Sequence, residues 1–243
     1  MLRRIALIVT LATLAVACGG SGSALDDLFE QARLNDPLVT RTYQENREVI
    51  EVPASIPTLA EHLQNDPSAQ VRQWCATILG RIGEPDPQAL AALTAALSDE
   101  DQDTRERAVA ALGQIGEEQA EAAYIEALRS GSREARITVL VELEKAKSVD
   151  AVPTIVELAK ANDGMVSKNA IDTLGGIGDV SAVAPLVEIA LDPNMPENLR
   201  RAAILNLGRI DLPEADAGLQ EVISGLGEQP GTEALLEFAR SQG

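Results

Sequence analysis

Catalysis, metal binding and nucleotide binding all need reactive side chains that converge, and this 243-residue chain has few to offer. Its one histidine is His62, and its two cysteines are Cys18 and Cys75. Without a second histidine nearby, a His/Cys zinc site is out of reach. A lone helical histidine reads as a surface or internally satisfied residue rather than a catalytic base. Carboxylates are plentiful, as in Asp99-Glu100-Asp101 and Glu117-Glu118. In so acidic a chain they read as solvated turns, and no calcium-loop pattern surrounds them. Gly175-Gly176-Ile177-Gly178 superficially suggests a phosphate loop, but it ends a helical segment and follows no strand. Trp74, the single tryptophan, is either an interface anchor or a partly buried packing residue. No catalytic residue, metal or cofactor is expected.

The elements that position these residues come from internal repetition. The strings ILGRIGE (78–84), ALGQIGE (111–117), TLGGIGD (173–179) and NLGRID (206–211) are versions of one phrase, with a degenerate copy, VELEKAKS, at 141–148. Aligned, they place Cys75, Ala108, Val139, Ala170 and Ala203 in one column, spaced by 33, 31, 31 and 33 residues. Four residues on stand Leu79, Leu112, Leu143, Leu174 and Leu207, and three further Ile82, Ile115, Ala146, Ile177 and Ile210. Offsets of 0, +4 and +7 share one stripe of an α-helix. A second apolar stretch precedes each phrase, over 56–63, 89–97, 122–128, 152–159 and 183–191. Breakers such as Asn65-Asp66-Pro67 and Asp192-Pro193-Asn194 separate the two. The unit is a helical hairpin of about 31 residues.

Glycine has two jobs in the phrase. Gly83, Gly116 and Gly178 follow the last apolar residue, where a left-handed C-terminal cap suits them. Gly80, Gly113, Gly175 and Gly208 fall inside the helix, where glycine costs about 1 kcal/mol relative to alanine; close approach of a neighbouring helix would explain all four. Glu144 replaces this glycine in the third copy, so a looser or shifted layer is expected there. The hairpins are predicted at 56–84, 87–117, 120–148, 152–179 and 183–211. Helices over 25–34 and about 38–50 form an N-terminal cap within 24–55, and 214–241 forms a C-terminal one, because terminal repeats must present a polar outer face.

A hairpin of this length, with Asp in the turn, Arg at the start of the second helix and an A-x3-LGxIG ending, resembles the short HEAT-like repeats first described in phycobilisome lyases. The resemblance covers residues 56 to 211. Tetratricopeptide and ankyrin units have similar periods, but neither of their signatures occurs. The implied fold is all-α, a right-handed α-α superhelix of about five hairpins with terminal caps. The Arg column reads Arg72, Arg105, Arg136, Ser167 and Arg200, with Asp66 and Asp99 six residues before the first two. By the resemblance, these residues tie successive turns together. Deoxyhypusine hydroxylases share the repeat and hold two irons with His-Glu pairs; this chain has no such pair, so that activity is not expected.

The N-terminus carries an export signal. Arg3 and Arg4 precede an uncharged run from Ile5 to Ala17, too short to cross a ~30 Å hydrocarbon core. Leu14-Ala15-Val16-Ala17-Cys18, followed by Gly19-Gly20-Ser21-Gly22-Ser23, resembles the lipobox of bacterial lipoproteins, although Leu, Val or Ile is commoner where Ala15 stands. That resemblance implies a signal peptide at 1–17, acylation of Cys18, a flexible tether at 18–23, and a lipid-anchored protein of the bacterial envelope, at the outer membrane facing the periplasm. Ala15-Val16-Ala17 also fits ordinary signal peptidase, which would release a soluble periplasmic protein. Cys75 would then lack a partner and serve as a small buried hydrophobe.

Charge narrows the partners. The chain carries a net −18, and without Arg3 and Arg4 it carries 18 basic against 38 acidic residues, or −20. Such a field repels nucleic acid and anionic lipid, and is compatible with a basic protein partner. The expected function is a non-catalytic, monomeric, membrane-anchored scaffold for another protein. Exposed positions on the second helices, Gln73, Trp74, Arg107, Glu134, Lys168 and Arg201, are the candidate contacts. The alternative is a lyase-type enzyme or enzyme accessory, which such HEAT-like proteins include.

Overall fold

The computed structural model describes residues 21–229 and 231–242. The expected signal peptide and Cys18 lie outside them. Among the described residues there are fourteen α-helices, two short 3-10 segments and no strand. They fall into two compact units that divide after Ala120.

In the first unit, α1 (Ser21–Arg33) and α2 (Val39–Ile50) form the N-terminal cap. Two hairpins follow, α3 (Ile56–Asn65) with α4 (Ala69–Ile82), and α5 (Pro87–Ala96) with α6 (Gln102–Ile115). First helices pack on first helices, α3 on α5, and second on second, α4 on α6. Helix α1 begins at Ser21, inside the expected tether. Its buried stripe of Leu25, Leu28, Phe29 and Ala32 nucleates the helix, and the turn upstream simply continues it.

The division falls within α7 (Glu117–Ser130). In the second unit follow α8 (Arg133–Ala146), the hairpins α9 (Val152–Lys160) with α10 (Gly164–Ile177) and α11 (Val183–Leu191) with α12 (Glu197–Leu207), then α13 (Pro213–Glu228) and α14 (Glu233–Arg240). Here α8 packs on α10, α10 on α12, and α11 on α13. The all-α architecture of helical hairpins flanked by terminal helix pairs is as expected, although the C-terminal pair opens with the longest described helix, α13, of 16 residues.

Local chemistry explains the boundaries. Asp86 accepts hydrogen bonds from the N–H groups of Gln88 and Ala89 at 2.8 and 3.2 Å, with Pro87 opening α5. Asp101 and Ser132 cap α6 and α8 through the N–H of Thr104 and of Ala135. Gly83 and Gly178 close their helices at φ 68° and 72°, in the left-handed region. Gly116 does not: its φ is 161°, extended backbone. The next helix starts one residue later, and the Gly116 carbonyl accepts its first turn from Ala120 N–H at 2.9 Å, leaving no room for a left-handed cap. The third copy has no glycine there, and Lys147 takes the left-handed conformation itself, at φ 53°.

The core follows two of the three repeat columns. Every member of the leucine column and of the Cys75 column is buried. Each buried leucine contributes about 1.5–3 kcal/mol. The third column is uneven: Ile177 and Ile210 are buried, Ile82 and Ile115 half-buried, and Ala146 exposed. It sits in the last turn of the helix in the first four copies, while Ile210 lies beyond the end of α12 and is buried there.

Candidate binding surfaces

The arginine column is the strongest polar feature of the fold. Arg72 is buried and grips Asp99 with two parallel bonds of 2.8 Å, from Nε to Oδ2 and from Nη2 to Oδ1. Its third nitrogen donates to the Asp66 carbonyl at 3.0 Å, tying the turn of its own hairpin to the turn of the next. The Asp99 carboxylate beside it holds the Arg72 guanidinium charge more firmly, above the usual arginine range, against the opposing effect of burial. Arg105 reaches only its own turn, at the carbonyls of Asp99 and Glu100. Arg136 likewise meets Arg129 O, while its buried Nε, the atom that in Arg72 reaches onward, has no acceptor. Ser167 substitutes by donating to Leu158 O at 2.7 Å. Arg200 bonds Ala190 O and passes onward to the Gln229 side chain, a neutral partner. Burial therefore prevails and lowers its affinity for the proton.

Sequence alignment misses the first rung. Arg33, at the end of α1, meets Asp66 Oδ2 at 2.5 Å. His62 Nδ1 lies 3.0 Å from the same oxygen, and its ring packs on Phe29 at 4.4 Å. Burial pushes the Asp66 carboxyl up, but Arg33, the Ser68 N–H and His62 outweigh it and hold the carboxyl below its ordinary range. Arg33 closes its helix, where the other arginines open theirs, so no alignment places it in the column. A turn-residue alignment of Asp66, Asp99 and Gln229 would have found the acceptors.

The internal glycines divide. A Cβ on Gly80 would lie 2.6 Å from Ala111 Cα, and one on Gly175 would lie 2.5 Å from Asn206 Cβ. Both mark the close approach expected. Gly113 has open space around it, and Gly208 lies beyond the end of α12 as its cap rather than inside the helix. Glu144 is accommodated by its neighbour across the layer: its carboxylate lies where a Cβ on Gly176 would be. Asn206, buried, bridges to Asp172 at 2.9 Å.

The candidate contact residues do not form one group. Gln73 is buried at 7% exposure and donates to Asp101 at 2.8 Å, so it stabilises the next helix cap and does not face a partner. Trp74 is half-buried against Tyr43, with ring centroids 5.0 Å apart. The Arg81 guanidinium lies over the Tyr43 ring, 5.4 Å from its centroid. Burial and the Glu51 carboxylate push the Tyr43 hydroxyl up to about 12. Arg107 is exposed beside a shallow depression it shares with Asp103, Glu106 and Ala110, and donates to the Thr77 hydroxyl at 3.0 Å. In the second unit, Glu134 and Lys168 are exposed, Lys168 pairing with Asp172 at 2.6 Å. Arg201 is half-buried, bonded to Glu197 and lying 5.4 Å over the Phe238 ring. Val141 and Leu205 stand exposed on the same set of second helices.

The chain is similar in part to several known proteins. A HEAT repeat-containing taxis protein of Halobacterium salinarum is 37% identical over 60 residues, which is 25% of this chain and 15% of that protein. Among solved structures, human deoxyhypusine hydroxylase with glycerol superposes at a TM-score of 0.43, with 19% identity over 93% of this chain and 80% of that one. The complex of CpcE and CpcF of phycocyanin lyase from Nostoc sp. PCC7120 gives 0.35, with 19% identity over 88% of this chain and 94% of that one. A designed armadillo repeat protein bound to a (KR)4 peptide gives 0.44, with 18% identity over 77% and 98%. The profile of the HEAT repeats family matches residues 56–123 and 121–208, more than half of the chain, and the protein belongs to that family.

Proposed function

We propose that the protein is a non-catalytic scaffold of the bacterial envelope, anchored by a lipid on Cys18, that binds another protein through its helical repeats. HEAT hairpins stack into extended surfaces of the kind that proteins bind. The observation that carries the reading is the fate of the chemically capable side chains. His62 is engaged by Asp66 and Phe29; Cys75 is sealed, its thiol pushed well up by burial; Asp99 and Asp101 are held by Arg72, Gln73 and the α6 cap. What the second helices offer to solvent is Arg107 in the first unit and a mixed set of Glu134, Lys168, Val141 and Leu205 in the second, suited to contact rather than turnover. The lyase-type alternative draws on no arrangement of side chains among the described residues. Crosslinking and pull-down from the native envelope tests the scaffold: a specific protein recovered by wild type supports it, and recovery of none overturns it. For the anchor, Cys18→Ser should move the protein out of the membrane fraction, and unchanged partitioning would defeat lipidation.

A further inference from the structure

On the first-helix side of the second unit, α11 and α13 border a groove of about 500 Å³. One wall is Val180, Val183, Ala184, Val187 and Glu188; the other is Glu214, Ala217, Gly218 and Glu221. The α13 wall follows helical i, i+3/i+4, i+7 spacing, and the other runs from Val180, in the 3-10 turn just before α11, into α11, so the groove extends for about two turns, roughly 11 Å. Gly218 sets its depth. A Cβ there would lie 2.9 Å from Val187 Cγ2 and 3.1 Å from Val183 Cγ1, so the helices approach to valine-on-backbone contact, and this contact is the floor between the two walls. Ala184 and Ala217, both exposed, leave its sides low, and Val180 remains 51% exposed at one end.

The rim is uniformly acidic. Glu188, Glu214 and Glu221 are exposed, and no lysine or arginine lines the groove. Lys160 reaches Glu188 from outside it. We propose that this groove docks a short helical segment of a partner protein, with one apolar face flanked by lysines or arginines. Exposed Val180, Ala184 and Ala217 take the apolar face above a floor of Val183 and Val187, which are 7% and 6% exposed, and the glutamates on both walls take the flanking cations, an arrangement of the helix-in-groove kind. A second copy of this chain fits poorly, because each copy brings a net charge of −18 to an acidic rim. The proposal goes beyond the scaffold reading, which places contacts on the second helices, and shares with it only the premise of a protein partner.

The test uses the purified protein and a fluorescent synthetic helix with leucines at i, i+3, i+4 and i+7 and lysines elsewhere, followed by anisotropy at physiological salt. The wild type should bind. Glu214→Lys with Glu221→Lys should weaken binding at least ~10-fold, because both rim carboxylates become repulsive. Ala184→Tyr, a change at an exposed position, should weaken it comparably by blocking the channel without altering charge. Asp103→Lys with Glu106→Lys, an equal charge change in the other unit, should change it less than ~2-fold. Equal losses from the two charge reversals, unimpaired binding by Ala184→Tyr, or no binding by wild type would each overturn the groove. The envelope pull-down reads the scaffold separately: a partner captured equally by wild type and Ala184→Tyr leaves the scaffold standing and removes the groove.

Discussion

Arg72 serves three acceptors at once, two carboxylate oxygens of Asp99 and the carbonyl of Asp66, from a site where its side chain is 8% exposed. Removing one partner of such a pair strands the other away from water, and the penalty for that exceeds the worth of an exposed ion pair. Arg72→Ala should therefore destabilise the fold by about 3 kcal/mol. Arg105, half-buried and bonded only to carbonyls, should cost about 1 kcal/mol when replaced by alanine. Urea unfolding of the two variants checks the ranking, and equal losses would show that the bond to Asp99 is not what sets the energy. The tie between successive turns could be read from the column at Arg72 and Arg200, but not at Arg105 and Arg136, which reach only their own turns. The burial of Gln73 could not, because Asp101, which draws it in, belongs to the following hairpin and lies 28 residues away.

At the scale of the helix, periodicity was informative wherever a side chain meets the next layer. The Cys75 and leucine columns sit mid-helix with neighbours on both sides, and their burial was legible in the spacing. The column ending in Ala146 and Ile210 lies at helix ends, where local closure decides exposure, and the pattern weakened accordingly. Glycines of the same phrase look alike in sequence, yet Gly80 meets Ala111 while Gly113 meets nothing within 4 Å. Their substitutions should diverge. Gly113→Ala removes a flexible residue from the interior of α6 and should raise stability by up to about 1 kcal/mol. Gly80→Ala must push two helices apart and should lower it by about 1–3 kcal/mol. Thermal unfolding of both variants decides, and a shift of the same sign for the two would refute the close-approach account.

For the whole molecule, the dominant fact is a net charge of −18 on 243 residues. Carboxylates so numerous repel one another in the compact state more than in the expanded one. Raising sodium chloride from about 20 mM to about 500 mM should therefore raise the melting temperature, since the repulsion is long-range and screened while the Arg72 pair is short and buried. A falling melting temperature would mean that exposed ion pairs outweigh the repulsion. Charge and the hairpin fold were both plain from composition and repetition. The acidic groove between α11 and α13 was not, because it depends on which face of each helix meets the other and on the missing side chain at Gly218.

Cys75 has no exposed surface, and its thiol resists ionisation. Oxidants and alkylating agents attack the thiolate, so they reach this sulfur only when the surrounding helices part. The rate at which it is modified is thus governed by how often the N-terminal stack breathes, and that one atom keeps time for the opening of its repeat.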